Sequence, residues 1–205
     1  MKVSRQRGMR WLGVILVLGM SCAAQGALIG VQNNNYVPDI DVFFIDIAYN
    51  ATTDAFTAVG WPATVDFGSG QQSIANGTYS IAITVDQNGN PGSGTLTIGG
   101  TVGSYTSGTL LVGSLVDFGF KAGTNDLFDF LFTPTGGDLQ SAFSPQVGVI
   151  LNAGNTAFAD NFTVSFSSSS GSGVSDNFRV PEPATAALLL VGAAAPLIAR
   201  RRRRA

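Results

Sequence analysis

Thr78-Tyr79-Ser80-Ile81-Ala82-Ile83-Thr84-Val85 is the stretch on which the fold class turns. Along an extended chain Tyr79, Ile81, Ile83 and Val85 face one way, and Ser80, Ala82 and Thr84 the other. A period of two is the pattern of a strand with one buried face, because successive side chains of a pleated strand point to opposite sides. Asp86-Gln87-Asn88-Gly89-Asn90-Pro91-Gly92 follows, a run of turn formers, and Thr95 to Ile98 continues as the partner strand of a hairpin.

Outward from this hairpin the pattern repeats. Phe128, Phe130 and Phe132 alternate with Leu127, Asp129 and Leu131, and Phe162, Val164 and Phe166 alternate with polar neighbours. Segments 40–48, 109–118 and 147–151 are further runs of Val, Ile, Leu and Phe. Gly136 to Phe143 allows one short helix capped by Asp138. Many short strands separated by Gly, Asn, Asp and Ser, with no alternating helices, predict an all-β domain. The architecture expected is an antiparallel β-sandwich, jelly-roll-like, with at most one short helix. Val65-Asp66-Phe67-Gly68 recurs as Val116-Asp117-Phe118-Gly119, but the flanks do not match and the echo reads as two similar strand ends.

The formal charge of −2 over 205 residues conceals a partition. Residues 1–27 carry Lys2, Arg5, Arg7 and Arg10 and no acid. Residues 28–180 carry twelve Asp, no Glu, and only Lys121 and Arg179, a net −10. Residues 181–205 set Glu182 against Arg200 to Arg204. The first part has the basic, apolar and small-residue order of a signal peptide: its apolar run from Trp11 to Met20 leads to Ser21-Cys22-Ala23-Ala24, and cleavage is expected just before Ala27. Lipidation of Cys22 is disfavoured, since that motif wants Leu three residues earlier and Gly19 stands there. Four regions follow: a signal peptide helix at 1–26, a β-rich exported domain at 27–166, a Ser/Gly-rich linker at 167–179, and a tail at 180–205.

That tail has three pieces. Val180-Pro181-Glu182-Pro183 refuses helix, residues 184–199 form a short uncharged transmembrane segment rich in Ala and Leu, and Arg200, Arg201, Arg202, Arg203 and Arg204 hold its end in the cytoplasm. The order resembles the PEP-CTERM sorting signal of Gram-negative bacteria, a tail also named after ice-binding proteins that carry it. The resemblance covers residues 180–205 and lends no function to the body. It implies that Pro181, Glu182 and Pro183 are recognised by an exosortase, that the anchor is removed, and that the cargo reaches the cell surface or an exopolysaccharide matrix. Signal peptidase and exosortase are the processing partners expected on this reading, with the inner membrane either a transient stop or, if the tail is kept, the site of a tail anchor.

The body's chemistry is narrow. Histidine is absent and Cys22 leaves with the signal peptide, so His- or Cys-dependent triads, structural zinc and disulfides are excluded. No Asp-Thr-Gly pair occurs, and Asp39/Asp41 and Asp126/Asp129 read as solvated loop residues. A non-enzymatic protein is expected, a carboxylate glycosidase being the weaker alternative. No cofactor is required, and calcium is the one metal candidate: Asp86, Asn88 and Asn90 have the spacing that opens an EF-hand loop. Pro91 stands where that loop needs Gly and Thr97 where it needs Glu, so a hairpin turn competes for the same residues. Asp39, Asp41 and Asp46 form a weaker cluster. Thr95-Leu96-Thr97 has the Thr-x-Thr form of an ice-binding array without the regular repeats such an array needs, and the sequons at Asn50, Asn76 and Asn161 read as accidents of composition. A net −10 repels phosphates, which argues against nucleic acid. The expected role is an exported surface or matrix protein associated with exopolysaccharide. The alternative is a glycan-binding module, calcium-assisted or not, using an exposed Trp61, Tyr36, Tyr49, Tyr79 or Tyr105; Tyr79 falls on the core face of its strand.

Overall fold

A computed structural model describes residues 27–168 and 170–181. The signal peptide helix and the transmembrane segment lie outside the described residues. Ten strands and one helical turn make up the rest: β1 (Asp39–Asn50), β2 (Ala55–Asp66), β3 (Gln71–Ser73), β4 (Ala75–Val85), β5 (Pro91–Val102), β6 (Tyr105–Lys121), β7 (Asn125–Gly136), α1 (Gln140–Phe143), β8 (Gln146–Gly154), β9 (Phe166–Ser167) and β10 (Gly173–Val180). The domain is all-β, as the alternation predicts.

It is a closed barrel and not the expected jelly-roll sandwich. Antiparallel pairing runs β1-β2-β4-β5-β6-β7-β8-β10, and β10 returns to β1 through Asp39↔Phe178, Ile40↔Asn177 and Asp41↔Asp176. Each strand therefore pairs with its neighbour in sequence, and the eighth meets the first. Closure removes the free edges that a sandwich leaves. The strand that closes it, β10, occupies most of the stretch expected to be a linker. Val174 and Phe178 give that stretch enough strand character to zip onto β8 and β1; its Ser175 hydroxyl and Asn177 Nδ2 find partners inside the barrel, while Asn177 Oδ1 is buried without one. β3 continues the line of β4 along the far half of β2, and β9 adds two residues to β1.

The alternation quoted above sends Tyr79, Ile81, Ile83 and Val85 into the barrel, all 4% exposed or less. Phe56, Phe118, Phe128, Phe130 and Phe132 meet them, with ring centroids 5.1–6.3 Å apart around Phe118 and Phe56. The lumen is thus filled by side chains, as eight strands permit. Thr, Ser, Ala and Asp are frequent at the outward positions, and Phe43, Phe44, Val59, Trp61, Val116 and Val174 are the large apolar side chains exposed on the strands.

Both ends are plugged. Residues 161–166, expected to alternate as a strand, are strand only from Phe166; residues 155–165 fold across one mouth, and Phe158, Phe162 and Phe166 pack there against Phe120, Phe128 and Tyr49. At the other mouth α1 brings Leu139 and Phe143 into the core. Asp138 does not cap that helix; it accepts a hydrogen bond from the Ser107 amide. Within the lumen one polar network remains: Ser175 Oγ donates to Tyr79 Oη at 3.3 Å, and Asn177 Nδ2 donates to Ser175 Oγ and to the Ile40 carbonyl.

Asp126 and Asp129 are not solvated loop residues. Both are buried, at 5% and 2% exposure. Asp129 accepts hydrogen bonds from the amides of Ile29, Gly30 and Val31, which straps the segment before β1 across the outside of β7. Asp126 accepts from the Gly123 amide and from the Thr156 hydroxyl, pinning two loops at one mouth.

Candidate functional site

β1 opens with strict alternation, Asp39-Ile40-Asp41-Val42, with Ile40 and Val42 inside and the two aspartates outside. Phe43-Phe44 breaks the rhythm. The register of β1 against both neighbours shifts between Val42 or Phe43 and Ile45 or Asp46, so a β-bulge absorbs Phe44 and both rings stay outside while Ile45 returns to the core. Phe44 holds φ +55°, the left-handed region that β-strand aromatics avoid. Strain at such a position is kept only where the surroundings impose it, and it concentrates at functional sites.

The adjoining strands bend at the same level. Pro62 in β2 lacks an amide to donate, and the ladder to β4 stops at Gly60↔Tyr79 before resuming with β3 at Thr64↔Ser73. Gly77 lets the backbones close at this gap: a Cβ there would stand 2.5 Å from the Pro62 carbonyl and 2.8 Å from Trp61 Cδ1. Bulges on three neighbouring strands re-aim side chains outward.

The product is an aromatic ledge on the outer wall. Phe43, Phe44 and Trp61 are 42%, 64% and 49% exposed, and Phe44 and Trp61 lie near parallel, 6.4 Å between centroids with planes 18° apart. Phe43 and Trp61 are Cα partners across β1 and β2. Val59, two residues before Trp61, extends the apolar surface. A contiguous exposed patch of large apolar groups, where Val116 and Val174 stand singly elsewhere on the strands, marks an interaction site.

Carboxylates flank the ledge. Asp41 shares the outer face with Phe43, two residues away, and with Asp39, Asp66, Tyr36, Asn35, Val37 and Gln71 it lines a cleft of about 290 Å³. Thr64 Oγ1 and Gln71 Nε2 both donate to Asp41 Oδ2, at 2.8 and 3.0 Å, and Asn33 Nδ2 donates to Asp39 Oδ2. Asp176 of β10 stands directly opposite Asp41, a like-charge pair that opposes ladder formation. Burial, then the charges of Asp176 and Asp41, pushes the Asp39 carboxyl up to about 6. Burial and the charge of Asp41 also raise Asp176. Beyond the bulge Asp46 closes the other side, accepting the Gly171 amide at 2.8 Å.

The other predicted residues are distributed elsewhere. Asp86, Asn88 and Asn90 do come together, in the β4–β5 turn, but Asp86 Oδ1 accepts the amides of Asn88 and Asn90 and Oδ2 accepts Asn90 Nδ2. Those bonds, that from the Asn90 side chain first, hold the Asp86 carboxyl below its usual range. The trio closes a hairpin with its own groups. Among the described residues no three His, Cys, Asp or Glu are placed to hold a metal ion. Tyr49 and Tyr79 are buried, Tyr105 is half-buried against Phe67, and only Trp61 and Tyr36 of the predicted aromatics reach the ledge and its cleft. Pro181 follows β10 directly, whereas Glu182, Pro183 and Arg200 to Arg204 lie outside the described residues. Reading the sequence for alternation passed over Phe43 and Phe44. Two aromatics in succession inside an alternating strand were the signal that one of them is bulged.

Compared with protein-family models, with curated proteins and with solved structures, the chain matches none. Function is therefore argued from the site itself. Among the described residues no helix is long and apolar enough to cross a membrane.

Proposed function

We propose that this chain is an exported, non-enzymatic protein of the cell surface or extracellular matrix, sorted through its C-terminal tail, whose barrel holds polysaccharide on the Phe43-Phe44-Trp61 ledge. Export and sorting rest on the sequence at the two ends: the signal-peptide order before Ala27, and the Pro181-Glu182-Pro183, apolar and arginine order after β10. Glycan binding rests on the ledge. The C–H face of a pyranose ring is flat and apolar, and it stacks on an exposed aromatic face while its hydroxyls stay in water. An open wall site takes a chain from the side and needs no deep pocket, which suits a polymer. The Thr64 hydroxyl and the Gln71 amide, which both donate to Asp41 beside the ledge, keep oxygen lone pairs that can accept from sugar hydroxyls.

The observation that carries this reading is the strained bulge, which at a cost to the backbone keeps Phe44 outside beside Phe43 and Trp61, two rings that strand alternation already sends outward. Electrophoresis of the full chain in mild detergent through gels containing matrix polysaccharide tests it: wild type should be retarded and Trp61→Ala should run as in an empty gel. Equal mobility of the two in every polysaccharide gel overturns it. Sorting is tested separately by mass spectrometry of the protein recovered from its own cell envelope. A C-terminus within about residues 181–183 supports removal of the tail, and intact Arg200 to Arg204 overturns it.

A further inference from the structure

The polysaccharide reading leaves the sugar class open, and the charge around the ledge narrows it. Along β1 the outer face presents Asp41, then Phe43 and Phe44, then Asp46. At about 3.3 Å per residue these carboxylates stand roughly 15 Å apart with the aromatics between them, the reach of a short oligosaccharide. Asp66 and Asp176 add to the Asp41 end from the two strands that flank β1. The body as a whole carries twelve Asp against Lys121 and Arg179. Lys121 ends β6 at the opposite mouth from this cleft, and Arg179 Nε is engaged by the Ser144 carbonyl. Asp39, Asp41, Asp66 and Asp176 gather at one end of the aromatic strip, with no three carboxylates among the described residues placed to hold a metal ion, and Asp46 stands at the other end. Negative charge at both ends of an aromatic strip fits a ligand whose positive charges are themselves spaced along a chain.

We propose that the ledge selects a cationic glycan, an amino-sugar polymer carrying free ammonium groups, over neutral and anionic polysaccharides. This rests on the glycan-binding reading and adds charge selection to it. Stacking places a sugar ring over Trp61 and Phe44, and the ammonium groups of neighbouring rings then reach Asp41 and Asp46. An ammonium beside an aromatic face is further attracted by the ring quadrupole. Anionic glycans meet uncompensated like charge at both ends of the strip, which rejects them.

Isothermal titration of the full chain in mild detergent tests this, in mildly acidic buffer where the amino groups are charged. The probes are glucosamine oligomers, N-acetylglucosamine oligomers of the same length, and a lysine oligomer as a non-sugar cation. Glucosamine oligomers should bind about tenfold or more tightly than the acetylated series, the range of one charge-assisted contact. The double variant Asp41→Asn/Asp46→Asn should erase that difference while leaving the weaker stacking component. Asp138→Asn/Asp160→Asn, which removes the same charge elsewhere, should preserve it. Equal affinity for the charged and acetylated oligomers overturns the charge inference and leaves the ledge reading standing, whereas no binding of either series, with Trp61→Ala unchanged, overturns the ledge reading itself. Equal loss in the two double variants, or binding of the lysine oligomer as tight as that of glucosamine, overturns the inference in favour of unspecific attraction to an acidic protein.

Discussion

Phe44 offers a test of the site that needs no ligand. Its φ of +55° places a residue with a Cβ in the left-handed region, at a cost of about 1–2 kcal/mol. Glycine escapes that cost but loses more freedom on folding, which offsets about 0.5–1 kcal/mol. Both Phe44→Gly and Phe44→Ala discard the ring and whatever it buries, so their comparison cancels the packing loss. Phe44→Gly should therefore be the more stable of the two by about 0.5–1 kcal/mol, or a few degrees in melting temperature for a domain of this size. At Phe43, one residue earlier and outside the left-handed region, the order should reverse, because in ordinary strand conformation glycine is the worse residue. Thermal and urea unfolding of the four variants measures both differences. If Phe44→Ala equals or exceeds Phe44→Gly, the backbone at the bulge is not strained and the argument that the fold sacrifices stability to expose this ring is wrong.

Three further outcomes follow from the same geometry. Gly77→Ala forces a methyl against the Pro62 carbonyl and Trp61 Cδ1, which should destabilise by about 1–3 kcal/mol and weaken glycan retention with Trp61 still present; unchanged unfolding and retention would contradict the close approach. Asp39 is pushed from 3.8 to about 6 in the folded protein, so the native state binds the extra proton, and stability from this group is full below about pH 3.8 and falls as pH rises through about 6. Because that side chain is partly open to water the fall should be on the order of 1 kcal/mol, and Asp39→Asn should flatten the urea midpoint across this window. Asp129→Ala removes three amide partners from the strap, so limited proteolysis followed by mass spectrometry should show cuts within 27–38 that wild type resists.

How much of this is readable without coordinates depends on whether the signal is local. Alternation at 78–85 and at Phe128, Phe130 and Phe132 identifies strands and their buried faces, because a pleated backbone imposes period two whatever the sheet's global shape. Closure is not local. A sandwich and a barrel share the same strand pattern, and the difference lies in whether β10 meets β1 or another sheet. That strand lies directly after a Ser/Gly-rich run whose composition reads as a linker, so its eight residues were passed over. Asp126 and Asp129 look like solvated acids in sequence since the Thr156 hydroxyl that bonds Asp126 and the amides that bond Asp129 come from segments about 30 and 100 residues away. Trp61 was legible as a candidate aromatic. Of its companions, Phe43 is outward by alternation with Asp39 and Asp41, whereas Phe44 falls on the core phase until the bulge turns its ring out.

Trp61 also supplies the most direct readout of the central claim. The chain has two tryptophans, Trp11 in the expected signal peptide and Trp61 on the ledge, so a Trp11→Phe chain reports from the ledge alone. At 49% exposure its indole emission is that of a partly hydrated ring. Titration with the oligosaccharide that binds should shift that emission to the blue, saturably and with the midpoint found by calorimetry. A folded protein that binds the sugar while Trp61 emission stays unchanged would place the glycan elsewhere and contradict the ledge as the binding site.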